Sequence, residues 1–148
     1  MERILVSWIG GNDLKGTIPD IADYGPILNT LSEQSFDRVE LLYNYPAKEV
    51  NPYLNWLGQQ SKADINAREV NLSSPINFGE IYQSADVLLA KLTGDKGCDL
   101  HILLSPGTPA MQAVWILLAK TRYPATFWQS SREKGVEQTI VPFDIAAE

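Results

Sequence analysis

LSPGTPAMQAVWILLAKT, residues 104 to 121, is the stretch on which the reading of the fold turns. A strand-like run ends at Leu104, a small polar turn with a glycine follows, and then comes a segment that is apolar almost all the way round. Strand, glycine-bearing turn and helix in immediate succession are the unit from which a parallel sheet with crossover helices is built. The turn itself has two readings. Thr108 caps the helix and Pro109 suits its first turn, which is common structural punctuation. Alternatively, Gly107 lets the backbone approach a ligand, and the free N–H groups of the first turn, together with the helix dipole, favour an anion such as a phosphate.

The same alternation extends outward from this stretch. RILVSWI (residues 3–9) reads as a buried strand closed by Gly10-Gly11. The segment NDLKGTIPDIADYG (12–25) reads as a long loop. PILNTLSEQ (26–34) reads as a helix opened by Pro26, and RVELLY (38–43) as the second strand. A helix is expected over 46–61, with Pro52 weakening its N-terminal part. INAREVNL (65–72) alternates as a half-exposed strand does, and FGEIYQSADVLLAKLTG (78–94) is an amphipathic helix with Gly94 as its stop. DLHILLS (99–105) is the fourth strand, followed by the helix 109–122. ATFWQS (125–130) is the fifth, and EQTIVPFDI (137–145) reads as a sixth, added as a hairpin after the turn REKG. The fully apolar ILV and ILL cores place the first and fourth strands at the centre of the sheet, covered on both sides. The expected architecture is α/β: a Rossmann-like three-layer sandwich around a mostly parallel sheet, with a C-terminal hairpin strand, all in one domain over residues 1–148.

Composition narrows the function. With 148 residues, 45% hydrophobic and 20% charged, the chain is an ordinary globular domain. A net charge of -6 and a pI near 4.7 argue against direct DNA binding, which needs a basic face. The chain has one cysteine, Cys98, and one histidine, His101. No internal disulfide and no Cys/His zinc site is therefore expected, and neither a metal nor a cofactor. No signal peptide or membrane-length apolar run is read, so the expected location is cytoplasmic, away from membranes.

Ligands of such sheets bind beyond the carboxyl ends of the strands, where the direction of connection reverses. Two loops fall there. One follows the first strand and offers Ser7, Trp8, Gly10, Gly11, Asn12 and Asp13. The other follows the fourth and offers Ser105, Pro106, Gly107, Thr108, Pro109 and Met111. Neither is a dinucleotide or P-loop fingerprint. Asn12 and Asp13 either touch a ligand or cap a short helix. Ser130, Ser131 and Arg132 either reach the same edge or form a solvated turn. His101 reads as a satisfied core histidine, and Trp56, Phe127 and Trp128 as core. The helix 109–122 needs only one buried stripe yet is apolar on most of its circumference. Its second face calls for cover, either by a second copy of the chain or by deep burial in a monomer.

ILVSWIGGNDL, HILLSPGTPAMQAVWILLAKT and ATFWQSSREKGV together resemble CARF domains, the Rossmann-like sensor domains associated with CRISPR systems. The resemblance is to those at the N-terminus of sigma-54-dependent transcription regulators related to the regulator of the RNA-repair operon. It covers nearly the whole length, and the two loops correspond to that family's ligand loops. The resemblance implies a homodimer with one shared pocket. It implies a nucleotide ligand, either a cyclic oligoadenylate or an RNA end with a cyclic phosphate. The full regulators carry a Walker motif and a helix-turn-helix, which this sequence lacks, so an effector on a longer polypeptide is expected. Some CARF domains cleave their ligand, which makes a metal-independent ring nuclease the alternative function. Ser7, Ser105 and Thr108 would assist such cleavage, but neither loop holds a lysine or histidine, and Lys15 lies just past the first. A small-molecule Rossmann enzyme is a third reading, weakened by the missing fingerprint and by the lack of a nucleophile–base pair.

Overall fold

The structure is a computed structural model that describes residues 1–18, 23–94 and 96–143. Its six-stranded sheet has the order β3-β2-β1-β4-β5-β6. The strands are β1 (Arg3–Trp8), β2 (Arg38–Tyr43), β3 (Asp64–Glu69), β4 (Asp99–Leu103), β5 (Thr126–Ser131) and β6 (Gly135–Thr139). β1 to β5 are parallel, and β6 runs antiparallel beside β5. β1 and β4, which carry the apolar runs Ile4–Val6 and Ile102–Leu103, are paired at the centre, where both faces of the sheet are covered.

Period-two alternation divides β1 between the two halves of the core. Ile4, Val6 and Trp8 face helices α4 (Phe78–Leu92) and α5 (Pro109–Thr121), with Leu88, Leu89, Trp115 and Leu118 packed behind them. Leu5 and Ile9 face helices α2 (Pro26–Glu33) and α3 (Ala47–Gln60), among Ile27, Val50, Tyr53 and Leu57. Both sheet faces are thus covered, giving three layers. The chain first winds outward through β2 and β3, then returns across the other face to place β4 beside β1. That reversal positions the loops after β1 and β4 next to each other.

Four elements depart notably from expectation. The segment 12–25 contains a short helix, α1 (Gly11–Lys15), and residues 19–22 of it lie outside the described residues. Helix α3 runs through Pro52 unbroken; the carbonyl that loses its helical bond belongs to Lys48, an exposed residue, where the loss is least costly. β3 ends at Glu69 rather than residue 72, with one more sheet-like bond from Val70 N to Tyr43 O (2.8 Å). β6 begins at Gly135, two residues earlier than expected, and ends at Thr139; residues 144 and 145 of the expected strand lie outside the described residues. The hairpin needs only three turn residues because Gly135, at φ 70°, takes the left-handed position that closes them.

His101 is a core residue, as its strand position suggested. Its Nδ1 accepts from Trp128 Nε1 at 2.9 Å, which leaves the neutral ring's proton on Nε2, 3.1 Å from Asp99 Oδ1 but out of line for a hydrogen bond. Phe127 and Trp128 are buried, whereas Trp56 is half-buried against Tyr53 and Tyr24. No helix among the described residues is long and apolar enough to cross a membrane.

Helix α5 does not bury its whole circumference. Met111, Val114, Trp115 and Leu118 face inward, Ile116 is half-buried, and Ala113 and Leu117 are exposed. With Phe78, 58% exposed, they wall an apolar surface hollow. Deep burial in a monomer is therefore not what covers this arc.

Candidate functional site

The loops after β1 and β4 meet over the reversal and enclose a cleft of about 430 Å³. Their backbones are in contact: a Cβ on Gly10 would stand 3.0 Å from Gly107 N and 3.3 Å from Pro106 Cβ. Gly107 adopts φ +94°, and a Cβ there would lie 2.6 Å from Met111 Sδ, so both the conformation and the space require glycine.

Nine of the twelve loop residues singled out from sequence line this cleft: Gly10, Gly11, Asn12, Asp13, Ser105, Pro106, Gly107, Thr108 and Met111. The other three do not. Ser7 is fully buried, and its hydroxyl donates to Trp8 O at 2.8 Å. Trp8 is buried in the core beneath the second loop, and Pro109 occupies the first helical position of α5. Sequence reasoning missed Pro26, Asn44, Tyr45 and Pro75 in the lining. Asn44 and Tyr45 were findable, since they follow β2, the neighbour of β1, and so emerge on the same edge.

Asp13 organises the first loop. Its Oδ2 accepts from Gly10 N and its Oδ1 from Ile27 N, each at 2.9 Å, and the side chain is completely buried. It therefore lines the cleft as a brace between loop and α2, with its oxygens already bonded. Burial pushes its carboxyl up from 3.8 to about 7, against the opposing pull of the Ile27 and Gly10 donors. Tyr53, whose buried hydroxyl lacks a hydrogen-bond partner among the described residues, is also held well above its ordinary value. Burial is the main cause and the Asp13 charge adds to it.

The hydroxyls of the second loop are partly committed. Thr108 Oγ1 accepts from Met111 N at 3.3 Å, capping α5, and donates to Pro75 O at 2.8 Å. It thereby ties the β3–α4 connection to the ligand loop and makes Pro75 a wall of the cleft. Ser105 Oγ accepts from Ser130 N at 2.7 Å, which leaves its own proton available for donation. Among the described residues no lysine, arginine or histidine lines the cleft. Apart from the Asp13 carboxyl, its surface is backbone, hydroxyl, amide and apolar carbon, a set suited to hydrogen bonds and contact rather than to ion pairing.

No family model matches the sequence, and no curated protein does. Solved structures do match the fold. Enterococcus italicus Csm6, bound to cyclic hexa-2′-fluoro-hexa-dAMP, superposes with a TM-score of 0.72 at 16% identity, over 93% of this chain and 35% of that one. Can2 from Sulfobacillus thermosulfidooxidans, in complex with cyclic tetra-adenylate, gives 0.65 at 14% identity, over 93% of this chain and 37% of its own. A type III CRISPR defence DNA nuclease activated by cyclic oligoadenylate gives 0.56 at 18% identity, over 87% and 18%. The chain thus spans about a third of the length of the first two and less than a fifth of the third.

Two predictions follow from the braces around the cleft. Folded Asp13 keeps its proton where the unfolded chain has lost it. Its contribution to stability is therefore greatest below about pH 4, falls as pH rises toward about 7, and is level above. Urea unfolding across that range should show the decline, at most about 1.4 kcal/mol per pH unit, and Asp13→Asn should flatten it. Thr108→Val removes both the cap and the Pro75 bond while keeping the branched shape. It should cost about 1 kcal/mol in stability and speed amide exchange over residues 72–77, read by mass spectrometry. The neutral cleft sits on an α/β sheet that reverses between β1 and β4, and the superpositions on Csm6 and Can2 agree with that sheet: this chain has the CARF-domain fold.

Proposed function

We propose that this chain is a regulatory domain that senses a cyclic oligoadenylate. The observation that carries the reading is the cleft at the β1/β4 reversal, where Gly10 and Gly107 bring two loop backbones together. A ligand there meets Ser105, Asn12 and Asn44 and the opening turn of α5. The ligand class is supported by the structural likeness to Csm6 and Can2, each bound to a cyclic adenylate. The RNA end with a cyclic phosphate rests on the sequence resemblance alone and is the second ligand to test. Two copies share the site: the exposed Ala113, Leu117 and Phe78 give each chain an apolar face on the α4–α5 side, and a two-fold partner covers it. The output is carried by an effector beyond this domain, a sigma-54-type transcription activator in the family that the sequence resembles.

Sensing is favoured over ring cleavage by the lining itself. The titratable side chains among the lining residues are Asp13, with both oxygens engaged, and Tyr45. Donors that hold a ground-state phosphate as firmly as a transition state do not accelerate its cleavage.

Native mass spectrometry and calorimetry with cyclic tri-, tetra- and hexa-adenylate, and with cyclic-phosphate RNA ends, test the reading. One of the rings should bind at micromolar concentration or tighter, and Gly107→Val should weaken it by about tenfold or more, some 1.4 kcal/mol. A wild-type domain that ignores every ring overturns the proposal. The dimer is tested by sedimentation. The wild-type chain should sediment as a dimer at tens of micromolar, and Ala113→Glu, which buries an unpaired charge in the shared face, should give monomers. A monomeric wild type would sink the two-fold arrangement.

A further inference from the structure

The first cleft holds no cation, yet cations stand beside it. A second cleft of about 280 Å³ shares Asn12 and Pro26 with the first and continues along the carboxyl edge of the sheet. Its far walls bring together Lys15, from the last turn of α1, and Ser130, Ser131 and Arg132, from the end of β5 and the hairpin turn. These groups are more than 110 positions apart in sequence and meet because α1 lies over the same sheet edge that β5 leaves.

The charges in this cleft do not cancel. Among the described residues its one carboxylate, Asp23, is occupied: Oδ1 accepts from Gly25 N at 2.9 Å and from Asn29 Nδ2 at 2.7 Å, and Oδ2 stands 3.5 Å from Arg132 Nε. Those bonds hold Asp23 ionised, the Gly25 N–H contributing most. Lys15 makes no ion pair among the described residues, and the Arg132 side chain, which pairs with Asp23 through Nε, is 81% exposed. Ser131 Oγ accepts from Lys134 N at 3.1 Å, so its proton is free to be donated. Among the described residues, an ammonium, a guanidinium, a hydroxyl proton and the Asn12 amide stand against one ionised carboxylate, which leaves a net excess of one positive charge and of donors. A tetrahedral anion with several acceptor oxygens matches it. In a chain of net charge -6, an anion is drawn to the edge by such a local excess and not by the overall field.

The second cleft also touches the first mechanically. Ser130 N donates to Ser105 Oγ, so the residue that opens the second ligand loop is bonded to the wall of the neighbouring cleft.

We propose that the second cleft is a phosphate-binding subsite, which takes a phosphodiester of the nucleotide whose body occupies the first cleft. The phosphate site stands on its own residues; the identity of the molecule that carries the phosphate rests on the sensor reading above. A free phosphate anion offers the same chemistry, and the experiment separates the two sources.

Titrate the ¹⁵N-labelled domain with inorganic phosphate, and measure cyclic oligoadenylate affinity against salt, for the wild type and for the Lys15→Gln/Arg132→Gln double variant. Both side chains are exposed, so the fold should survive. Phosphate should shift the amides of Lys15, Ser131 and Arg132 in the wild type and not in the double variant. Ring affinity should fall about tenfold or more, and the slope of log affinity against log salt should flatten by about 1.4, for two lost phosphate contacts at about 0.7 each. Asp23→Asn, which removes the competing charge, should tighten both. Absence of phosphate shifts at these amides, or their persistence in the double variant, overturns the subsite. Phosphate shifts with unchanged ring affinity and slope overturn its link to the ring and make it a site for free phosphate. If the wild type binds no ring while the shifts appear, the sensor reading fails and the anion site stands.

Discussion

Two backbone N–H groups from different elements, Gly10 in the first ligand loop and Ile27 in the opening turn of α2, donate to one carboxylate with no cation beside it. Everything on the carboxyl edge is placed by that arrangement. Gly10 N must point inward to meet Asp13, which turns the loop so that Gly10 packs against Gly107 and Pro106 of the second loop. Ile27 N must point outward from α2, which sets that helix against the start of α1 and brings Pro26 into both clefts. Burying an isolated carboxylate is expensive, and the strain is visible in a proton affinity raised to about 7. The fold tolerates it because an acceptor with two oxygens can serve two buried donors at once, which a hydroxyl or amide of this size does less well.

On the sensor reading proposed above, the same brace would link ligand and acidity: an anion held near Asp13 disfavours its charged form, and a protonated Asp13 repels an anion less, by the reciprocity that governs any two sites on one protein. Among the described residues the lining of the first cleft contains no cation. Lys15 and Arg132 line the second, where backbone and side-chain bonds hold Asp23 ionised. The proposed phosphate subsite would thus separate two tasks: contact with the body of the ligand in the first cleft, and compensation of its charge in the second.

The sheet could be read from the sequence because its central strands are apolar on both faces and its helices carry one clear stripe each. ILV and ILL went to the middle, and the two loops they precede met where the connection reverses. What could not be read was set by contacts that no local pattern encodes. Asp13 was legible as the cap of a short helix, which its bond from Gly10 N bears out, but its second bond, from Ile27 N, comes from 14 residues away, across a segment that reads as loop. Thr108 was legible as a cap, but its second bond, to Pro75, spans 33 residues. Ser7 and Trp8 were read both as the end of the first strand and as part of the loop after it; they belong to the strand, which carries them into the core. The start of β6 was missed because Gly135 reads as turn; its left-handed backbone both ends the turn and begins the strand.

The Thr108–Pro75 bond has a further consequence for how an occupied cleft is felt elsewhere. Pro75 walls the cleft, and Phe78, three residues on, walls the apolar hollow with Ala113, Val114, Ile116 and Leu117. Between them, Asn77 caps α4 through Glu80 N, and Glu80 in turn accepts from Ser73 N and Oγ, so the connection is stiff along its length. Thr108 holds this connection at one end and the first turn of α5 at the other. A displacement of the second loop that kept this bond would carry Pro75 with it, and Phe78 lies three residues on. The cleft and the exposed apolar arc are thus joined through one hydroxyl, which caps α5 and holds Pro75. On the sensor reading proposed above, that hydroxyl is the element through which occupation of the cleft would be passed to the apolar surface.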